Sequence, residues 1–279
     1  MARILVVVLL GGILGAALVR ISPGFGVDEQ ELDLRLSKQS IQAVRQQHAD
    51  EAKFLVFCAH HFSRLLRGDL GVSRTFERPI SMLLRERTPE TAKGVGLALA
   101  LGWSFGLTMA MLVVLSRSWS VDLTASLVSG FLMCLPAAVL GLLFVLAQAP
   151  ARLVLALIVL PNVFRYSRNL LVRSASQPHV LMAQAKGLGS ARILFRHILL
   201  PVAPQLLALA GVSVSLALTA AIPVEALCDL PGLGQLAWKA ALGRDLYLLV
   251  NLTMIVTVVT LLANSASDVF TRTLRGNPA

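Results

Sequence analysis

Arg192 and Arg196 stand one helical turn apart with His197 beside them, and no acidic residue occurs anywhere between Asp122 and Glu225. Like charges at that spacing on a helix repel by roughly 0.2–0.5 kcal/mol. The pair therefore suits a partner groove with acidic walls, or anionic lipid headgroups. An ordinary basic connector is the competing reading. A second group, Cys58 with His60 and His61, has donors of metal-binding type. Beside Phe57 and Phe62 it reads as packed side chains, and no metal site is expected. Three cysteines, Cys58, Cys134 and Cys228, have no paired spacing that would define a disulfide framework. No nucleophile with its base and no pair of carboxylates stands out, so nothing in the chain suggests catalysis. No Gly-x-x-x-x-Gly-Lys-Ser/Thr loop occurs, which removes that route to ATP hydrolysis.

The elements that must position these residues are apolar. Hydrophobic residues make up 56% of the 279, charged residues only 14%, and the mean hydropathy is +0.74. That leaves too little polar surface to coat a water-soluble domain, and the expectation is an all-α integral membrane protein. A net charge of +10 could suggest nucleic acid. With 6% aromatics and the cations beside apolar runs, lipid and positive-inside bias explain it better.

Apolar runs cover Ile4 to Val19, Gly94 to Leu115, Leu123 to Phe164, Leu206 to Val224 and Leu246 to Ala263. The first is short for a span and, taken alone, could be a signal peptide cleaved near Gly15-Ala-Ala17. The run from Leu123 to Phe164 would reach about 60 Å as one helix, against a hydrocarbon core of about 30 Å. Gln148-Ala-Pro150 and Arg152 offer a turn near its middle. If Arg117 and the cluster from Arg165 both lie in the cytoplasm, an even number of crossings separates them. Six transmembrane helices with both termini inside follow, with spans near 94–115, 123–147, 151–170, 205–224 and 246–264 after a first helix at 1–22. Residues 23–92 then form an extracytoplasmic helical segment, and 93–275 the rest of the membrane domain.

The outer segment from Arg20 to Lys93 holds twelve basic and ten acidic residues. Charge bias orients short loops and not one of this length. Its middle, Ser40 to Arg67, reads as helix; Gly68-Asp-Leu-Gly71 breaks it, and Arg78-Pro79-Ile80 opens another. The basic loop, 173–201, reads as a short helix, a break at Gly187, and a second helix with Leu188, Ile193, Leu194 and Ile198 on one side. A side chain at Gly187 is expected to obstruct the bend.

Ala185-Lys-Gly-Leu188 followed by Arg192-Ile-Leu-Phe-Arg-His197 resembles the cytoplasmic coupling loop of permease subunits of ATP-binding-cassette importers, in the oligopeptide, dipeptide and nickel branch. Three other segments are similar to that branch. They are Leu65-Leu-Arg-Gly-Asp-Leu-Gly71 with Arg78-Pro79 and Leu84-Arg-Glu-Arg-Thr-Pro89; Glu225-Ala-Leu-Cys-Asp-Leu-Pro-Gly-Leu-Gly234 with Gly243-Arg-Asp245; and Leu18-Val-Arg-Ile-Ser-Pro-Gly24. Their order spans nearly the whole chain and retires the signal-peptide reading. Departures exist: Leu181-Met-Ala183 stands where the loop's name-giving Glu would be, and the connection between spans three and four shrinks to Gln148–Arg152.

The resemblance implies a multi-pass subunit of the bacterial inner membrane with no cofactor of its own. ATP-Mg would belong to separate ATPase subunits. A second permease, those ATPases, a solute-binding protein and membrane lipid are the implied partners. Ala183, Lys186, Gly187, Leu188, Arg192, Arg196, His197 and Pro201 would form the coupling loop between spans four and five. Glu225, Pro231, Gly232, Gly234, Arg244 and Asp245 would form the outer loop, with Pro fixing φ and the glycines permitting the reversal. Asn162, Ser213, Ser215, Thr219, Asn251 and Thr257 are candidate pathway residues, or helix contacts. The cargo would be a peptide, a nickel chelate or another small solute; the pathway offers no charge from which to infer its own. A permease that recruits a soluble partner without transport is the alternative function.

Overall fold

The structure, a computed structural model, describes residues 63–65 and 67–274. The expected first span, most of the expected outer helix and the Cys58, His60, His61 group lie outside them. Among the described residues the protein is helical, with only an isolated antiparallel bridge between Val72 and Pro79. The helices are α1 (Ile80–Ser116), α2 (Trp119–Cys134), α3 (Ala137–Leu146), α4 (Arg152–Ala175), α5 (Pro178–Ala185), α6 (Ser190–Leu227), α7 (Leu233–Leu242) and α8 (Leu246–Leu274).

Two compact units divide the chain: residues up to Arg87 with Leu236–Val258, and Thr88–Gln235 with residues from Val259 on. In the first, the break expected after the outer helix is present. Gly68 and Gly71 take φ of 77° and 82°, and Asp69 accepts from Gly71 N–H at 2.9 Å and from Arg64 at 2.7 Å. Helix α1 starts at Ile80 as expected, but it runs 37 residues through Pro89, well beyond the expected span.

Among the described residues three helices, α1, α6 and α8, are long and apolar enough to cross a membrane. The expected span at 123–147 is not one straight helix. Helices α2 and α3 meet at a 93° bend, so together they count as at most one broken span. The cause is local: Pro136 has no N–H to continue the ladder and forces Leu135 to extended backbone, φ −83° and ψ 120°. The turn expected at Gln148 is present, between the end of α3 and the start of α4, with Gln148 at φ 51°.

In the second unit α4 is the central helix. Its Val154, Leu155, Val159 and Val163 pack with Val95 and Ala98 of α1, Leu140 of α3 and Ala217, Ala221 and Val224 of α6. Helix α1 approaches through Gly102 and Gly106, a Gly-x-x-x-Gly pair. A Cβ on Gly106 would stand 3.0 Å from Leu160 O, and one on Gly102 2.7 Å from Val159 Cγ1. Backbones this close maximise the van der Waals contact that holds helices together where lipid is the solvent. Helix α2 runs antiparallel to α4: Asp122 pairs with Arg168, and seven residues on, Ser129 Oγ donates to Pro161 O at 3.3 Å. Leu127, Phe131, Leu142 and Leu146 stay exposed on α2 and α3, as a bilayer allows.

Candidate functional site

The basic loop folds as one body with the end of α4. Pro178 opens α5 at its first turn, where the missing N–H costs nothing. The helix ends in a Schellman motif: Leu188 N–H donates to Ala183 O at 3.3 Å and Gly187 N–H to Gln184 O at 2.9 Å. Gly187 takes φ of 70°, and a Cβ there would meet nothing within 4 Å. The glycine is therefore required for its left-handed backbone; the expectation that a side chain would obstruct the bend is corrected.

Residues Ile193–Leu199 at the start of α6 are a π-helical turn. Pro201 lacks the N–H that an α-helix would give to His197 O. That carbonyl instead accepts from His179 Nε2 at 2.9 Å, and the next, Ile198 O, accepts from the buried Ser174 Oγ at 3.1 Å. Both bonds tie α6 to the preceding elements. Ile193, Leu194 and Ile198 are buried with Val180 and Ala183 of α5 and Leu171 of α4, the face expected from the sequence, and Leu188 packs against them. His179 and Ser174 have no sequence signal; each is one polar residue whose partner is a backbone oxygen.

The exposed side chains of the loop are apolar and cationic. Leu181, Met182 and Phe195 are 59%, 61% and 57% exposed, and Lys186, Arg192 and Arg196 are exposed as well. Among the described residues no carboxylate pairs with those three cations. Large exposed apolar side chains rimmed by one charge sign suit a protein partner of opposite charge. Beside the loop lies a cleft of about 530 Å³ walled by Val113, Arg117, Trp119, Leu181, Gln184 and Ser190.

The residues expected to form one outer loop divide between two networks. In the second unit, Glu225 is 2% exposed in the last turn of α6. Its Oε1 accepts from Thr91 Oγ1 at 2.8 Å and its Oε2 from Gly234 N–H at 2.7 Å, while Thr91 Oγ1 accepts from Leu233 N–H at 2.7 Å. Pro231 and Gly232 lead into α7. The glycines serve a different purpose from the one expected: neither has positive φ, and Asp229 at 49° makes the reversal. A Cβ on Gly232 would fall 2.1 Å from Glu225 Oε2, and one on Gly234 2.7 Å from Ala221 O. Close approach excludes a side chain at both.

In the first unit Asp245 is fully buried. It accepts from Ser73 Oγ at 2.5 Å and Thr75 N–H at 3.2 Å, and it caps α8 by accepting from Leu248 N–H at 3.0 Å. Arg244 precedes it at φ 51°. Thr91, Ser73 and Thr75 belong to these networks, and the sequence gives no sign of them, because their partners lie far away along the chain.

The candidate pathway residues are turned to their own helices. Asn162, Ser213, Ser215, Thr219, Asn251 and Thr257 each donate to the carbonyl four residues back. Asn251 also donates to Leu70 O at 3.1 Å. Among the described residues no group of three or more His, Cys, Asp or Glu could hold a metal ion.

Comparison with known proteins places these features in a family. Residues 102–276 match the binding-protein-dependent transport system inner membrane component. The oligopeptide transport system permease protein OppB of Salmonella typhimurium is 27% identical over 220 residues, 70% of this chain and 71% of that protein. A putative peptide permease protein of Brucella suis is 23% identical, over 90% of this chain and 88% of its own. The nickel import system permease protein NikB of Staphylococcus aureus is 23% identical, over 91% and 82%. Among solved structures, a chain of the inward-facing MetNI methionine ABC transporter matches with a TM-score of 0.62 and 18% identity, covering 70% of this chain and 97% of that one. At that identity the likeness is one of fold.

Proposed function

This chain belongs to the binding-protein-dependent transport system inner membrane components, in the oligopeptide and nickel branch of ATP-binding-cassette importer permeases, and from that premise we propose how its basic loop and buried turns work. It is a multi-pass protein of the bacterial inner membrane and a transport component, not an enzyme. Six spans, a cytoplasmic loop at 173–201 and a peptide or similar small solute as cargo are our reading. So are a second permease, ATPase subunits that bind ATP-Mg, and a binding protein that delivers cargo from outside.

The observation that carries the coupling role is the exposure of Leu181, Met182 and Phe195 together with that of Lys186, Arg192 and Arg196, which pair with no carboxylate among the described residues. The loop is rigid beneath, since Ile193, Leu194 and Ile198 pack into the α4 core and His179 and Ser174 anchor the π-helical turn. A force applied there is passed to α4 and α6 and is not absorbed by the loop. ATP-driven closure of the ATPases would shift the permease between inward-open and outward-open states, each favoured only as far as it is bound more tightly. The Glu225 and Asp245 networks fix the turns that lead into α7 and α8.

The interface is tested by placing a cysteine at Phe195 or Lys186 and oxidising membranes that contain the whole complex. A disulfide to a cysteine introduced in the ATPase cleft is expected, and its yield should change when ATP is added. No cross-link at any cleft position counts against the docking role.

A further inference from the structure

Helix α4 carries a stripe that the coupling role leaves unused. Asn162, Arg165, Tyr166 and Asn169 recur at helical spacing, so they share one face. Asn162 is half-buried and the other three are exposed, whereas Val163, Phe164, Ser167 and Leu171 on the opposite side are buried. Arg165 lies thirteen residues from Arg152, where Glu90 pairs with the guanidinium at 2.5 Å, and ten from the helix end at Ala175. Those separations are about 20 Å and 15 Å of helix; with the fourth crossing of the six-span reading beginning near Arg152, Arg165 lies about 20 Å into a hydrocarbon layer of about 30 Å, in its inner half.

The side chain does not escape toward the basic loop. Side chains on a helix lean toward its N-terminus, here the Arg152 end. Arg165 Nη1 meets Met133 Sδ at 3.4 Å, and Met133 lies four residues beyond Ser129, which is level with Pro161. Its neighbour Arg168 is neutralised by Asp122, but among the described residues Arg165 has no carboxylate. A charged group within the hydrocarbon layer on an exposed face is disfavoured against lipid; such groups face a protein interior or a water-filled path.

We infer that this stripe lines the solute path and that Arg165 receives an anionic group of the cargo, the carboxylate of a carboxylate-bearing solute such as a peptide. The inference rests on the permease reading above. It departs from the expectation of a pathway without charge, in which Arg165 belongs to the cytoplasmic cluster. Asn162 and Asn169 supply amides on either side of the cation, and Tyr166 an aromatic face. A guanidinium in a low-dielectric path offers a carboxylate two parallel hydrogen bonds.

The test uses membranes containing the complete complex, with Cys58→Ser, Cys134→Ser and Cys228→Ser in this chain, and Asn169→Cys as the reporter. Two membrane-impermeant methanethiosulfonates of opposite charge, the ethylsulfonate and the ethyltrimethylammonium, are the probes. Labelling by both is expected, the anion reacting about tenfold faster relative to a control at the exposed Ser120→Cys, as a singly signed cleft concentrates counter-ions. Arg165→Gln should bring the ratio close to the control, and Arg165→Lys should keep most of it. If Ser120→Cys reacts and Asn169→Cys does not, the face is covered by lipid or protein and the inference falls. A ratio indifferent to Arg165→Gln overturns the role of the charge.

Labelling needs no ATP, so it stands whether or not coupling does. In proteoliposomes, Arg165→Gln should lower ATP-driven uptake of trialanine about tenfold more than uptake of its C-terminal amide. Equal losses exclude the carboxylate. Absence of uptake by the unsubstituted complex counts against the permease reading and leaves the labelling ratio to decide the stripe.

Discussion

Thr91 and Glu225, 134 positions apart, share a buried 2.8 Å hydrogen bond, and the oxygen of Thr91 in turn accepts from Leu233 N–H. One carboxylate and one hydroxyl thereby satisfy the first backbone donors of α7. Glu225→Ala would leave Gly234 N–H and the Thr91 hydroxyl without their acceptor, at about 1–3 kcal/mol for each buried group. The purified complex should melt at lower temperature with Glu225→Ala or Thr91→Val, and with Gly232→Ala, whose Cβ has no room. Unchanged melting in all three would mean that the turn is not held by this network.

Gly187 should tolerate asparagine far better than valine. A left-handed residue costs a side chain roughly 1–2 kcal/mol, asparagine least among non-glycine residues and β-branched residues most. Space is not limiting, since a Cβ there meets nothing. Uptake by Gly187→Asn should therefore approach that of the parent, with Gly187→Val clearly reduced. The reverse order would show that contact, not backbone, sets the requirement.

Asp122 and Arg168 form a half-buried ion pair between α2 and α4. Removing one partner leaves the other charge partly desolvated, so each single substitution should destabilise more than its share of the double. A denaturation cycle of Asp122→Asn, Arg168→Gln and both together should give a coupling of about 0.5–3 kcal/mol. Additive effects would remove the pair from the account of how α2 is held.

Gln148 stands exposed at the tight turn between α3 and α4. In the six-span topology, a cysteine placed there reacts with impermeant maleimide from the outer side only. Labelling from the cytoplasmic side would invert α4 and break the topology.

The sequence makes the basic loop legible because its signals are local: a glycine at the end of α5, Pro178 at its start, and apolar residues at helical spacing. The turn at Gln148 is legible for the same reason. Pro136 is a local signal for the bend between α2 and α3, but span length alone sets the expected crossing at 123–147 and says nothing of a bend within it. The roles of Gly232 and Gly234 could not be read, because the atoms that exclude their side chains belong to Glu225 and Ala221, seven and thirteen residues away. His179 and Thr91 were hidden likewise: a polar side chain does not announce which distant backbone group it will satisfy. Arg165 was visible, yet its depth depended on where α4 begins and ends.

The central claim, that the loop couples this permease to an ATPase, is tested most directly by Arg192→Glu with Arg196→Glu in the reconstituted complex. Cargo-stimulated ATP hydrolysis and uptake should both fall to background while the protein still inserts and melts normally, since both arginines are exposed and neither pairs with a carboxylate among the described residues. Uptake that survives the double reversal would contradict the docking role. Binding of the ATPase without uptake in the unsubstituted protein would point to a scaffold that does not transport.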